Sequence, residues 1–292
     1  MRVGVILLPQ ARWAAAREQW QRVEALGFDH AWTYDHLSWR SLAEQSWFAT
    51  VPLLSAAAVV TERIRLGTWV ASPNFRHPVP FAKELMTLDD LSDGRFTLGV
   101  GAGGAGFDAT VLGADELTPR ERVDRLAEFT DLLDELLRCD TTTVRGPRYS
   151  AVQAQMRPGC VQRPRLPFVV AANGPRSMRI AVRHGAGWAT TGPEGVSGAQ
   201  WWSAVADLVH RLEDTEVDGR SGAALERYLS MDAGGTYSLD SLETFRDAAG
   251  HAAELGFTDV VVHHPQAEGV HSGRVEVLEA VAADREPRPA GR

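Results

Sequence analysis

The feature that most constrains this chain is a strand–helix alternation repeated eight times along its length. Short apolar runs read as strands at 2–8, 29–35, 64–70 and 96–102. Helix-spaced runs at 14–26, 47–60 and 80–91 separate them. A longer stretch then intervenes. Residues 119–137 place Val123, Leu126, Phe129, Leu133, Leu136 and Leu137 on one face, behind Thr118 as N-cap and Pro119 as first helical residue. A hairpin excursion is expected over 141–163, around Gly146-Pro147. Alternation then resumes, with strands at 167–172, 187–191, 227–231 and 258–264 and helices at 173–184, 199–212, 239–255 and 275–283. Strict alternation with short connections predicts a parallel sheet. Eight units predict an α/β fold, a (β/α)8 TIM barrel over 1–285. It forms a single domain with an insertion after the fourth strand at about 104–163 and a flexible tail at 286–292.

The 292 residues suit one such barrel, which needs about 250, and 44% hydrophobic residues can fill its core. No apolar run approaches the ~20 residues of a membrane span, and the chain enters its first strand without a basic leader, so a cytoplasmic protein is expected. A formal charge of −8 argues against nucleic acid and anionic membranes as partners. Cys139 and Cys160 carry no metal spacing or disulfide framework, and no metal site is expected.

In such barrels the chemistry sits where strands run out, which ranks the polar residues by position. Asp35 and His36 head the candidates, as a carboxylate able to orient an imidazole that handles protons near neutral pH. The alternative is an Asp that caps its loop beside a His that packs. Thr68 and Trp69 end the third strand, Thr190 and Thr191 the sixth, and His263 and His264 the eighth. After the fourth strand, Gly101-x-Gly103-x-x-Gly106 matches a dinucleotide fingerprint, yet three strand–helix units precede it and the run 107–113 reads as irregular. A glycine-rich loop against which a flat group lies is the better reading. Asn173-Gly174 opens a helix whose free N–H groups suit a phosphate, or is an ordinary capped turn. Trp20 and Trp32 read as core, whereas Trp39 and Trp47 could line a pocket together with Trp69.

Several motifs resemble the luciferase-like monooxygenase family: Glu24-Ala-Leu-Gly-Phe-Asp29, Tyr34-Asp-His-Leu37, Arg65-Leu-Gly-Thr68, Arg76-His-Pro78, Leu88-Asp-Asp-Leu-Ser-Asp-Gly-Arg95, Leu98-Gly-Val-Gly101, and later Pro167 to Pro175 with Ala186-Gly-Trp188. The resemblance implies a flavin-type ring at the barrel mouth, either coenzyme F420 or FMN. Residues 68–76 look most like the F420 (deazaflavin)-dependent branch. The resemblance then implies a cis peptide at Trp69-Val70 behind the ring and His36 near the reacting carbon. It implies ring and phosphate contacts from Thr68, Trp69, Val70, Ala102, Gly103, Gly104, Phe107, Ala172, Asn173, Gly174, Thr190 and Thr191. Trp39, Trp47 and His264 are expected around the substrate. Some relatives in this branch carry a catalytic Glu where this chain has Gly104, which turns the expectation from sugar phosphates toward reduction of an activated C=C or C=N bond. The implied partners are a small-molecule or peptide substrate and an F420-reducing enzyme, with a homodimer left open. An FMN-dependent monooxygenase and a non-catalytic flavin-binding barrel are the alternatives.

Overall fold

The computed structural model describes residues 1–37 and 39–285, and the expected tail at 286–292 lies outside them. Eight strands close into one parallel barrel: β1 (Arg2–Ile6), β2 (His30–Thr33), β3 (Arg65–Thr68), β4 (Phe96–Val100), β5 (Phe168–Ala171), β6 (Gly187–Thr190), β7 (Glu226–Ser230) and β8 (Asp259–His263). Neighbours follow chain order around the ring, and β8 pairs with β1 to close it. The helices Trp13–Ala25, Thr50–Val60 and Pro78–Leu91 bury their apolar faces on the outside of the first strands.

The helix Pro119–Arg138 starts at a complete capping box, in which Thr118 accepts from the Glu121 N–H and Glu121 accepts from the Thr118 N–H. It packs between the helices Pro78–Leu91 and Pro175–His184, the place a barrel gives its fourth helix. The expected insertion therefore reduces to the loop 101–118 and the antiparallel hairpin Thr141–Arg145 with Ser150–Gln155. The stretch after the glycines is not irregular throughout, because Asp108–Val111 makes one helical turn.

Inside the barrel, side chains alternate along each strand. From β2, His30 and Trp32 reach across the lower interior, and both glycines facing them are obligatory. A Cβ on Gly4 would sit 1.8 Å from His30 Nδ1, and one on Gly67 would sit 2.3 Å from Trp32. The rings are joined in a buried polar line: Trp32 Nε1 donates to His30 Nδ1 at 2.6 Å, His30 Nε2 meets Asp259 at 2.9 Å, and Arg2 grips Asp259 with two bonds of 2.7 Å. Trp69 packs above Trp32, with ring centroids 5.1 Å apart.

Candidate active site

Above Trp69 the barrel opens into a cavity of about 570 Å³ at the C-terminal ends of the strands. The β2 exit contributes Tyr34, His36 and Trp39, and the β3 exit contributes Trp69 and Val70, whose peptide bond is cis as the resemblance implied. Ala102, Gly103 and Gly104 form the wall after β4; Ala172, Asn173 and Gly174 follow β5, and Thr190 and Thr191 end β6. The outer edge is made by Arg122 and Val123 of the fourth helix and by Ser177.

The chain leaving β2 is pinned twice by the start of the next helix. Thr50 Oγ1 donates to the Tyr34 carbonyl at 2.7 Å, and Trp47 Nε1 donates to the His36 carbonyl at 2.8 Å. His36 is 9% exposed and lies flat on Trp39, with centroids 4.0 Å apart. Its Nδ1 meets Asp108 Oδ2 at 2.5 Å, and Asp108 Oδ1 accepts the Leu37 N–H at 3.0 Å. With Nδ1 engaged by a carboxylate, Nε2 is the nitrogen left to give or take a proton.

Several expectations need correction. The carboxylate that orients His36 is Asp108, not Asp35. Asp35 is 1% exposed and outside the cavity, gripped by Arg76 through bonds of 2.7 and 2.6 Å. Burial opposes the Arg76 charge, but Asp35 and then Glu84 hold its pKa above the ordinary arginine value. The physical reason is the period of two: His30, Trp32, Tyr34 and His36 point inward, so Asp35 points out. Trp47 does not line the cavity and acts on His36 through its carbonyl. Thr68 is fully buried and donates to the Gly99 carbonyl at 2.7 Å, so it ties β3 to β4. Phe107 stands at a φ of 47°, with 38% exposed surface, at the start of the Asp108 turn. His264 donates to the Pro265 carbonyl at 2.9 Å outside the cavity, and its burial lowers its pKa.

The structure adds Tyr34, absent from the sequence candidates. Its hydroxyl meets His263 Nε2 at 2.9 Å, and His263 Nδ1 meets Asp232 Oδ2 at 2.7 Å. Burial, then the Asp232 charge, push the Tyr34 phenol above its usual value. Burial opposes the Asp232 charge, yet hydrogen bonds from His263 and Ser238 hold that carboxyl below the ordinary range. The glycine wall is shaped by packing behind it: Gly103 has a φ of +78°, and a Cβ there would sit 2.7 Å from Asn74. At Gly104 a Cβ would meet nothing within 4 Å. Arg125 donates to Asn74 beside this loop, and its buried Nε has no acceptor among the described residues. Asn173 and Thr190 hold each other, with Thr190 Oγ1 donating to Asn173 Oδ1 at 2.7 Å.

The sequence profile of the luciferase-like monooxygenases matches residues 1–213. The chain belongs to the luciferase-like monooxygenase family. Among relatives of this family member, the F420-dependent glucose-6-phosphate dehydrogenase of Beutenbergia cavernae is 39% identical over 176 residues, 59% of this chain and 51% of that protein. The 4-hydroxyprotoasukamycin monooxygenase of Streptomyces nodosus subsp. asukaensis is 32% identical over 205 residues, 68% of this chain and 53% of that protein. The chain thus spans about half the length of the curated relatives it matches. In fold, this luciferase-like chain is similar to the coenzyme F420-dependent tetrahydromethanopterin reductase of Methanopyrus kandleri, with a TM-score of 0.73, 18% identity, and 96% of this chain and 97% of that one covered. No helix among the described residues is long and apolar enough to cross a membrane.

Proposed function

We propose that this protein is an oxidoreductase that uses coenzyme F420 to move hydride to or from a small organic substrate. One observation carries the reading: His36, held by Asp108, opens on a cavity floored by Trp69 and walled by a glycine loop, in a chain related to F420-dependent dehydrogenases. The residues fit the coenzyme. Val70, Ala102, Gly103 and Ala172 offer a flat, mostly apolar face, and Gly104 keeps open the space a side chain would fill. Gly174 and Ser177 stand at the start of the helix Pro175–His184, where unpaired N–H groups favour a phosphate. Arg122 and Arg125 supply positive charge beside the loop of an otherwise acidic chain.

When bound, a deazaflavin supplies or takes hydride at C5. This chain's residues do the rest. Trp69, Val70 and the glycine loop orient the ring and exclude water, and His36 Nε2 gives or takes one proton. Asp108 fixes the ring's orientation through Nδ1. The finer reading is reduction of an activated C=N or C=C bond. Gly104 brings no carboxylate to its position; Asp108, four residues on, supplies one from the same connection, so oxidation of an alcohol in the opposite sense is also served. An FMN-dependent monooxygenase is the second reading; the relative from Streptomyces nodosus, named a monooxygenase, supports the reaction class. The test has two arms. Reduced F420 is offered anaerobically with a panel of cyclic imines and enones, and reduced FMN is offered in air with an oxygen electrode. Oxidation of F420 with product formation supports the first reading. Substrate-dependent oxygen uptake with FMN alone replaces it with the second.

A further inference from the structure

The cavity is served by a second hydrogen-bonded chain besides the His36–Asp108 pair. It runs from Tyr34 at the cavity wall, through His263 at the end of β8, to Asp232 in the short helix Met231–Ala233 after β7. Its direction follows from the acceptors. Asp232 is held below the ordinary carboxyl range, so Oδ2 only accepts, and it receives both the backbone N–H and the Nδ1–H of His263 at 2.7 Å. Its Oδ1 is taken by the Ser238 N–H at 2.9 Å and the Ser238 hydroxyl at 2.5 Å. With the proton on Nδ1, His263 Nε2 is an acceptor, and the Tyr34 O–H must donate to it. The Tyr34 oxygen then presents lone pairs and no proton to the cavity. The Tyr237 hydroxyl donates to the His263 backbone carbonyl at 2.8 Å, which fixes the strand end that carries the ring.

We propose that Tyr34 is the second acid–base group of this site, receiving the proton of an O–H or N–H on the substrate carbon that exchanges hydride, with His263 and Asp232 as positioning residues that take up the tyrosine's own proton. This rests on the coenzyme reading above and narrows it to substrates with a C–O or C–N bond. In the oxidising sense a bound deazaflavin would take the substrate C–H hydrogen with its electron pair as hydride, and the O–H or N–H proton would pass to the Tyr34 oxygen. The Tyr34 proton passes to His263 Nε2, and a C=O or C=N bond forms. The charge ends as imidazolium against Asp232. Reduction runs the same path backward.

Asp232, His263 and His271 also stand close enough for their ligand atoms to share an ion, within 4.8 Å of one another. The hydrogen-bonded arrangement argues against that use. Both His263 nitrogens are engaged, and the His271 ring lies parallel on His263, 3.6 Å away at 9°, so their lone pairs run side by side without converging.

The experiment combines histidine nitrogen NMR with kinetics on the full chain. In wild type, His263 is expected with its proton on Nδ1, and Asp232→Asn is expected to shift it to Nε2. Tyr34→Phe keeps the Nδ1 form. With F420 and 2-propanol or a cyclic imine as probes, Tyr34→Phe lowers kcat about 10²-fold, moves one limb of the pH profile and leaves KM within a few-fold. Asp232→Asn has the same pH signature. A wild-type proton on Nε2, stoichiometric zinc in the purified protein, or an unchanged pH profile in Tyr34→Phe overturns the proposal. If wild type turns over none of the probes, the coenzyme reading is what fails, and the nitrogen spectra still decide the relay.

Discussion

Of the His–Asp pairs among the described residues, His184–Asp131 joins two outer helices, while one lies at the bottom of the barrel and two at its mouth, and these three differ in what surrounds them. At the bottom, His30 and Asp259 are 4% and 0% exposed, capped by Trp32 and clamped by Arg2, with Gly4 removed from their path. At the top, His36–Asp108 and His263–Asp232 use the same bond at similar length, but each leads to a side chain facing the cavity. The pairing alone therefore assigns no chemistry. Depth along the strand does: both ring nitrogens of His30 are consumed below Trp69, whereas the upper pairs lead to His36 and Tyr34, which line the cavity.

The comparison breaks most visibly if the lower pair is cut. Asp259→Ala leaves His30 and Arg2 without their shared partner, and breaking such a buried pair costs about 3–5 kcal/mol. Urea unfolding should show a loss of this size, while F420 affinity measured on the folded protein stays within a few-fold of wild type. An equal loss of affinity would make the lower pair part of the site.

Cutting the upper pair should do the reverse. His36→Ala is expected to lower turnover about 10²–10⁴-fold, with coenzyme affinity within a few-fold and little change in the urea midpoint. Turnover within a few-fold of wild type would make His36 structural.

One substitution sharpens the contrast at both depths. Gly4→Ala drives a methyl into His30 and should cost about 1–3 kcal/mol as overpacking. Gly104→Ala meets nothing within 4 Å and should leave the melting temperature unchanged while weakening coenzyme binding. Unaltered binding would mean that the ring does not approach this loop.

The smallest expected effect is in the pH dependence of stability. Burial first, and then His263, lower the His271 pKa from 6.5 to about 4. Between these values the unfolded chain binds the proton more readily, so stability is full above about pH 6.5 and falls as pH drops toward 4. His271→Gln should flatten this slope in urea midpoints taken from about pH 7 to about pH 5. A slope parallel to wild type would show that His271 takes no part in it.

The barrel was legible because alternation is a local signal: all eight strands and the Thr118-Pro119 helix start stand where the apolar spacing put them. His36, Trp69 and the 102–104 wall were legible from strand ends and from family motifs. Asp35 is legible as an outward residue only if the alternation of β2 is carried past Thr33, which turns Asp35 away from His36 and brings Tyr34 beside it. The same alternation separates His263 from His264. Asp108 and Asp232 were out of reach, because each comes from a loop whose path depends on packing between elements distant in sequence.

The coenzyme itself is the most direct test of what the mouth is for. Titration of the purified protein with F420 and, separately, with FMN should give micromolar or better affinity for F420 and clearly weaker affinity for FMN. Salt should weaken only the share contributed by Arg122 and Arg125, because the contacts of ring-facing backbone and apolar groups are not screened. Equal or tighter binding of FMN, with oxygen consumed once the flavin is reduced, would contradict the account and move this protein to the monooxygenase side of its family.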